Sequence, residues 1–206
     1  MGTDDFFERV IGLVGLKAAG KDEFGRRLAS HYGFTHTRIS DAIRAEAAKL
    51  GLANPATAEL QDIGNRGRQI SGDGGYWPKE LLKLMREQDH RRVAVNGIRH
   101  PDEAIALKEI CGEKFVLVGI VAPTLIRAAR FMSRGQAGDP KEFERFLMID
   151  DRDRGIGEPS YGQQVDRTLA LARWENIYNN NGSLEEYRTW ISSFMDKNLP
   201  KADCDK

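Results

Sequence analysis

Val10-Ile-Gly-Leu-Val14 is a short apolar run that gives way at once to Gly15-Leu-Lys-Ala-Ala-Gly-Lys-Asp22, and apolar residues then recur four apart at Phe24, Leu28 and Tyr32. Four-residue spacing is that of one helical face, whereas the run before it suits a buried strand. A strand, a glycine-rich turn and a helix in direct succession leave few folds open. The helix must pack back on the sheet, and the turn then lies at the strand's carboxyl end, where open α/β sheets bind ligands.

The turn fits G-x-x-x-x-G-K, with Asp22 where Ser or Thr is usual. Its glycines let the backbone curl until its N–H groups face an anion, the following helix adds its positive end, and Lys21 can reach terminal phosphates. Phosphate binding is therefore expected of Gly15, Ala18, Ala19, Gly20, Lys21, Asp22 and Glu23. The plain alternative is a strand-to-helix turn with a surface lysine. Mg²⁺ prefers hard oxygen ligands, so Asp22 is the metal candidate, directly or through water. Alternatively it caps its helix while another acid holds the metal.

Strands and helices continue to alternate. Phe34 to Ile39 reads as a strand closed by Ser40 as helix N-cap, and a helix follows Pro55 despite Gly64 and Gly67. Pro78 suits the first position of the next helix. Val93 to Val95 and Phe115 to Val121 are uniformly apolar, as in strands covered on both faces, with helices at 101–111 and 123–134 between and after them. Residues 135–163 are charged and Gly/Pro-punctuated, apart from a helix announced by Asp139-Pro-Lys-Glu. A helix near 164–172, a strand near 175–178 and a helix capped by Ser183-Leu-Glu-Glu complete the pattern. The expectation is a three-layer α/β fold with a mainly parallel sheet of about five strands and a helical lid insertion, as one domain over residues 1–197 with a polar tail at 198–206.

The chain has 206 residues, with 31 Lys plus Arg against 31 Asp plus Glu, so no overall field draws it to nucleic acid or anionic membrane. Its start is acidic where a signal peptide is basic and then apolar, and no apolar stretch is long enough to span a bilayer, which reads as cytoplasmic. Cys111 and Cys204 offer neither a disulfide framework nor metal-ligand spacing, and His31, His36, His90 and His100 offer none either. Cys111, Trp174 and Trp190 are expected in the core.

Phosphoryl transfer is mostly positioning and charge stabilisation, so cations are needed around donor and acceptor. Asp41 and Arg44 follow the second strand on one helical face, Asn96-Gly-Ile-Arg99 follows the third, and Arg127, Arg130 and Arg134 follow the fourth. Arg152 and Arg154 lie in the lid segment. Singly, each arginine is more often a solvated surface residue.

On these residues the chain resembles the P-loop nucleoside and deoxynucleoside monophosphate kinases, a group that includes adenylate kinase and dephospho-coenzyme A kinase. The resemblance spans residues 10 to about 195. It implies that Ser40-Asp-Ala-Ile-Arg44 and Asn96-Gly-Ile-Arg99 hold an acceptor phosphate, that Arg130 and Arg134 sit at the lid's root, and that Arg152 and Arg154 close on the transferring group. It also implies that Asn180 lies by the donor adenine. Asn96 stands where the group often has Asp. Gln61, Asn65, Tyr76 and Trp77 fall where acceptor-binding helices are expected: either the aromatics offer a face to a base and the amides hydrogen bonds, or the aromatics pack the subdomain and the amides face water. The implied activity is ATP- and Mg²⁺-dependent transfer to a small nucleotide acceptor, with no membrane or nucleic-acid partner, and a homodimer is allowed. Two alternatives stay open: a hydroxyl kinase of the dephospho-coenzyme A type, with Asp41 taking the proton, and an adenylate-kinase-like ATPase switch acting with a protein or RNA partner.

Overall fold

Alternate residues of β1 (Arg9–Val14) face opposite layers, Val10 and Val14 one way, Ile11 and Leu13 the other, and all four are fully buried. β1 is thus the middle of a sheet covered on both sides. The computed structural model describes residues 5–55, 57–134 and 142–199, apart from the side chains of 57, 58 and 61. The first part of the expected lid, including Asp139, lies outside the described residues, as do Cys204 and nearly all of the tail.

After β1 come α1 (Lys21–Tyr32), β2 (Thr35–Arg38), α2 (Ile39–Lys49), α3 (Thr57–Ser71) and α4 (Tyr76–Glu87). They are followed by β3 (Arg92–Ile98), α5 (Pro101–Cys111), β4 (Phe115–Val121), α6 (Thr124–Arg134) and α7 (Phe143–Arg154). α8 (Val165–Leu169), β5 (Ile177–Asn179) and α9 (Leu184–Asn198) close the described chain. The five strands are parallel in the order β2-β3-β1-β4-β5. The chain leaves β1 toward β2 on one side and later crosses from β3 over β1 to β4 on the other. The switch in direction falls at the carboxyl end of β1, the place where open α/β sheets bind ligands.

α1 and α9 cover one face, where Phe24, Leu28, Tyr187, Ile191 and Phe194 pack on Ile11, Leu13, Val118 and Ile120. α2, α4 and α5 cover the other through Ala42, Leu81, Met85 and Leu107. Cys111 is buried there, and Trp190 stacks on Tyr178 in the first layer.

Several local expectations shift. α2 begins directly after β2, so Ser40 lies inside it, and its amino end is served by Asp41, whose Oδ2 accepts from the Arg38 backbone N–H at 2.8 Å and the Thr37 hydroxyl at 2.9 Å. α3 runs through both glycines because the Trp77 ring lies against Gly67, where a Cβ would clash. α4 starts two residues before Pro78. Trp174 was expected in the core and is instead 83% exposed. It lies in a 3₁₀ turn before β5, which starts only at Ile177.

Near its end β3 carries one extra residue: Leu13 pairs with Asn96 but Val14 with Ile98. The residue passed over is Gly97, at φ 84°, a conformation that glycine adopts without strain. Such a bulge re-aims the side chains beside it, here Asn96 and Arg99.

Candidate phosphate-binding site

The turn after β1 places its carbonyls against protein. Lys21 Nζ donates to the Gly15 carbonyl at 2.6 Å and to that of Leu16 at 2.9 Å. Arg127 reaches the Lys17 carbonyl at 3.4 Å, Asn180 Nδ2 the Ala19 carbonyl at 2.7 Å, and the Tyr187 hydroxyl the Gly20 carbonyl at 3.1 Å. Ala18 adopts φ 57°, and Gly15, at φ 149°, lies so close to the Ile120 carbonyl that a Cβ there would collide with it. The N–H groups of Ala18 and Gly20 make no backbone hydrogen bond among the described residues. With the open first turn of α1 they form a donor cradle suited to an anion.

Burial pushes the Lys21 ammonium down to about 8, and Arg99 and Arg127 push the same way, while Asp22 and Asp153 pull back. A lysine held this way gains from any anion that enters the cradle. Asp22 accepts through one oxygen from Arg38 at 3.0 Å and from Asn96 Nδ2 at 2.8 Å. Its burial raises its pKa, but Arg38, Lys21 and His36 together hold it below the ordinary carboxylate range. The Asn96 Oδ1 is buried without a partner. An ionised carboxylate beside an orphaned amide oxygen, both hard ligands, fits Mg²⁺ or its bound water. No group of three or more His, Cys, Asp and Glu that could hold a metal converges among the described residues, here or elsewhere.

The Arg99 side chain is 44% exposed, 3.2 Å from Gln163 Oε1 and 3.9 Å from Asp153, and it faces Lys21 closely enough to perturb it. Arg130 donates to the Asn180 carbonyl at 3.1 Å and, more weakly, to its side chain. The same asparagine that grips the loop is thereby steadied from α6. Glu23 is held by Arg188 at 2.8 Å and joins α1 to α9. Arg134 lies over the Phe131 ring at 4.2 Å. In α7, Arg152 donates to Glu158 at 2.8 Å, and Arg154 to Asp150 at 3.3 Å and Asp166 at 3.0 Å. Both are therefore held by acids of their own segment.

On the expected acceptor side, Arg44 is exposed and without an ion pair among the described residues. Asn65 accepts from Arg68 at 2.9 Å, Tyr76 is half-buried against Trp77, and the Gln61 side chain lies outside the described residues. Trp77 is 2% exposed with its indole N–H on the Gly64 carbonyl at 2.7 Å. It is core, with no face open to a base, because Gly67 lets α3 close over it.

Three residues that sequence reasoning gave no such part complete the site. Arg127 and Asp150, 1% and 2% exposed, form a two-pronged buried ion pair joining α6, α7 and the loop. Asp153, one helical turn on, is 3% exposed and points at Arg99. Three-residue spacing places both acids on one face of α7, but pairing across 23 positions leaves no local signal.

No family model matches the sequence. Among solved structures, the chain resembles a gluconokinase from Sinorhizobium meliloti (TM-score 0.53, 15% identity, 94% of each chain). It also resembles the shikimate kinase of Acinetobacter baumannii (TM-score 0.51, 16% identity, 93% of this chain and 96% of the other). At such identities the likeness is one of fold, and the fold is that of the P-loop kinases. In sequence it is 32% identical to a UPF0200 protein of Pyrobaculum aerophilum over 90% of this chain and 96% of that one. Identity to a UPF0200 protein of Pyrococcus abyssi is 33%, over 92% and 97% respectively. With relatives this similar over nearly their whole length, the chain belongs to the UPF0200 family.

Proposed function

We propose that this protein transfers the γ-phosphoryl group of ATP to a small acceptor. The observation that carries the reading is the loop after β1. Its carbonyls are tied back by Lys21, Arg127, Asn180 and Tyr187, the N–H groups of Ala18 and Gly20 make no backbone hydrogen bond among the described residues, and its lysine is short of anions. ATP phosphates fit that cradle, with Lys21 turning from the loop carbonyls to the terminal phosphates. Mg²⁺, when bound, supplies charge neutralisation on those phosphates, and Asp22 with the Asn96 amide oxygen would hold it. Arg99 and Arg130 flank the cradle and orient what lies between them. The α7 segment shields it from water, acting as a lid within a single kinase unit.

One candidate acceptor is a nucleoside or deoxynucleoside monophosphate, held by Arg44 and Arg99 at the ends of β2 and β3. A hydroxyl acceptor is the second reading, favoured by the buried carboxylate of Asp153 beside Arg99. The test is ADP production from Mg-ATP with a panel of nucleoside and deoxynucleoside monophosphates, nucleosides and polyols, alongside calorimetric ATP titration. Acceptor-dependent ADP release that disappears in a folded Lys21→Ala variant is the expected result. No ATP binding, with no ADP formed from any acceptor, overturns the proposal.

A further inference from the structure

We infer that Asp153 is the base of the transfer and that the accepting group is a hydroxyl; this rests on the kinase reading above. α7 was expected to offer Arg152 and Arg154 to the transferring phosphoryl group, but these are drawn off by Glu158, Asp150 and Asp166. What α7 turns toward the loop is the residue between them. Asp153 is 3% exposed, receives no hydrogen bond among the described residues, and has Arg99 as its nearest cation at 3.9 Å. A carboxylate on a buried residue that accepts no hydrogen bond from protein is left for a ligand or water to satisfy, and fold stability does not explain this one, since it ties no helix end and completes no pair at close range.

Its position is at the mouth of the cradle. Burial and Arg99 lower the Lys21 pKa, and Asp153 is, with Asp22, one of the two carboxylates that pull it part of the way back. The other acids around the loop are engaged. Asp22 is shared by Arg38 and Asn96, Asp41 caps α2, and Asp150 is bound by Arg127. Asp153 alone among these four keeps both oxygens clear of hydrogen bonds while facing the loop.

A monophosphate acceptor brings its own negative charge to a γ-phosphoryl group already crowded with oxygens, and a carboxylate in the same sheltered space would oppose both. A hydroxyl is neutral, and it becomes a competent nucleophile as its proton is removed. In the proposed step the acceptor oxygen bonds to the γ-phosphorus as the bond from phosphorus to the β,γ-bridging oxygen breaks. The bridging electron pair leaves with ADP, and the hydroxyl proton passes to Asp153. Arg99, 3.9 Å away, stands beside that carboxylate. Water is the smallest hydroxyl acceptor, so slow ATP hydrolysis without added acceptor uses the same base.

The experiment compares wild type, Asp153→Asn and Asp153→Glu in three measurements: ATP affinity by calorimetry, basal ATP hydrolysis, and transfer from Mg-ATP to adenosine, ribose and glycerol against AMP, CMP, GMP and UMP. Removing the negative charge should tighten ATP binding several-fold in Asp153→Asn. Its basal hydrolysis, and its transfer to any hydroxyl acceptor that wild type uses, should fall on the order of 100-fold or more, the usual worth of a positioned base. Asp153→Glu should recover part of that loss. A merely structural role would move the melting temperature without tightening ATP. ATP binding with transfer only to the phosphate of monophosphates, giving nucleoside diphosphates, or wild-type hydrolysis in Asp153→Asn, overturns this inference and leaves the kinase reading standing. Failure of wild type to bind ATP overturns both.

Discussion

Binding of ATP above neutral pH should draw protons from solution. In the free protein burial is the main reason the Lys21 ammonium loses its proton near pH 8 instead of its ordinary 10.5, and Arg99 and Arg127 add repulsion that Asp22 and Asp153 only partly offset. Phosphates on the loop replace neutral carbonyls with anions and restore the charged form. If the bound lysine is fully protonated, uptake is about 0.1 proton per ATP at pH 7, about 0.5 at pH 8 and about 0.9 at pH 9. At pH 8 and above a terminal phosphate is itself fully ionised and contributes little. Titration calorimetry in two buffers of different ionisation enthalpy reads the uptake directly, and Lys21→Ala should abolish it. The same lowered pKa means that between about pH 8 and pH 10.5 the unfolded chain holds a proton the native state lacks. Lys21 therefore makes stability rise with pH across that window. Equal binding heats in both buffers at pH 8 and pH 9 would refute the reasoning.

Asp150→Asn leaves Arg127 as a buried uncompensated charge and should cost about 3–5 kcal/mol in denaturant unfolding, whereas Arg127→Met with Asp150→Leu should recover most of it. Asn180→Ala strips the Ala19 carbonyl of its partner, so stability should fall by about 1–3 kcal/mol, and calorimetry should show weaker ATP binding. Arg44→Ala should weaken an anionic acceptor roughly tenfold or more while ATP affinity barely moves. In Arg99→Ala the onset of proton uptake should shift to higher pH, because one of the charges repelling the Lys21 ammonium is gone.

What was legible in the sequence was local. The loop after β1 declares itself because strand, glycines, lysine and helix are consecutive, and the parallel sheet because Val93 to Val95 and Phe115 to Val121 carry no polar residue. Ser183 caps α9 with Glu186 as its spacing implies, Oγ accepting from the Glu186 N–H at 3.2 Å. Missed features depend on distant partners. Arg127 and Asp150 are 23 positions apart, and a buried arginine in an amphipathic helix looks like any other until its carboxylate is placed. Trp77 and Trp174 were misplaced for opposite reasons. Gly67 on a neighbouring helix made room to bury the first, and a 3₁₀ turn ahead of a short edge strand turned the second outward. The roles expected of Arg152 and Arg154 came from the resemblance and their place in the lid segment, and acidic neighbours hold both side chains.

The side chains that secure the loop's carbonyls come from α1, α6, α9 and the segment after β5. Protein side chains alone therefore fix the cradle's shape. ATP binding should show a small heat-capacity change, and amide exchange in the loop should already be slow in the free protein. Evolution can then retune nucleotide affinity from Asn180, Tyr187 or Arg127 without touching a residue of the loop.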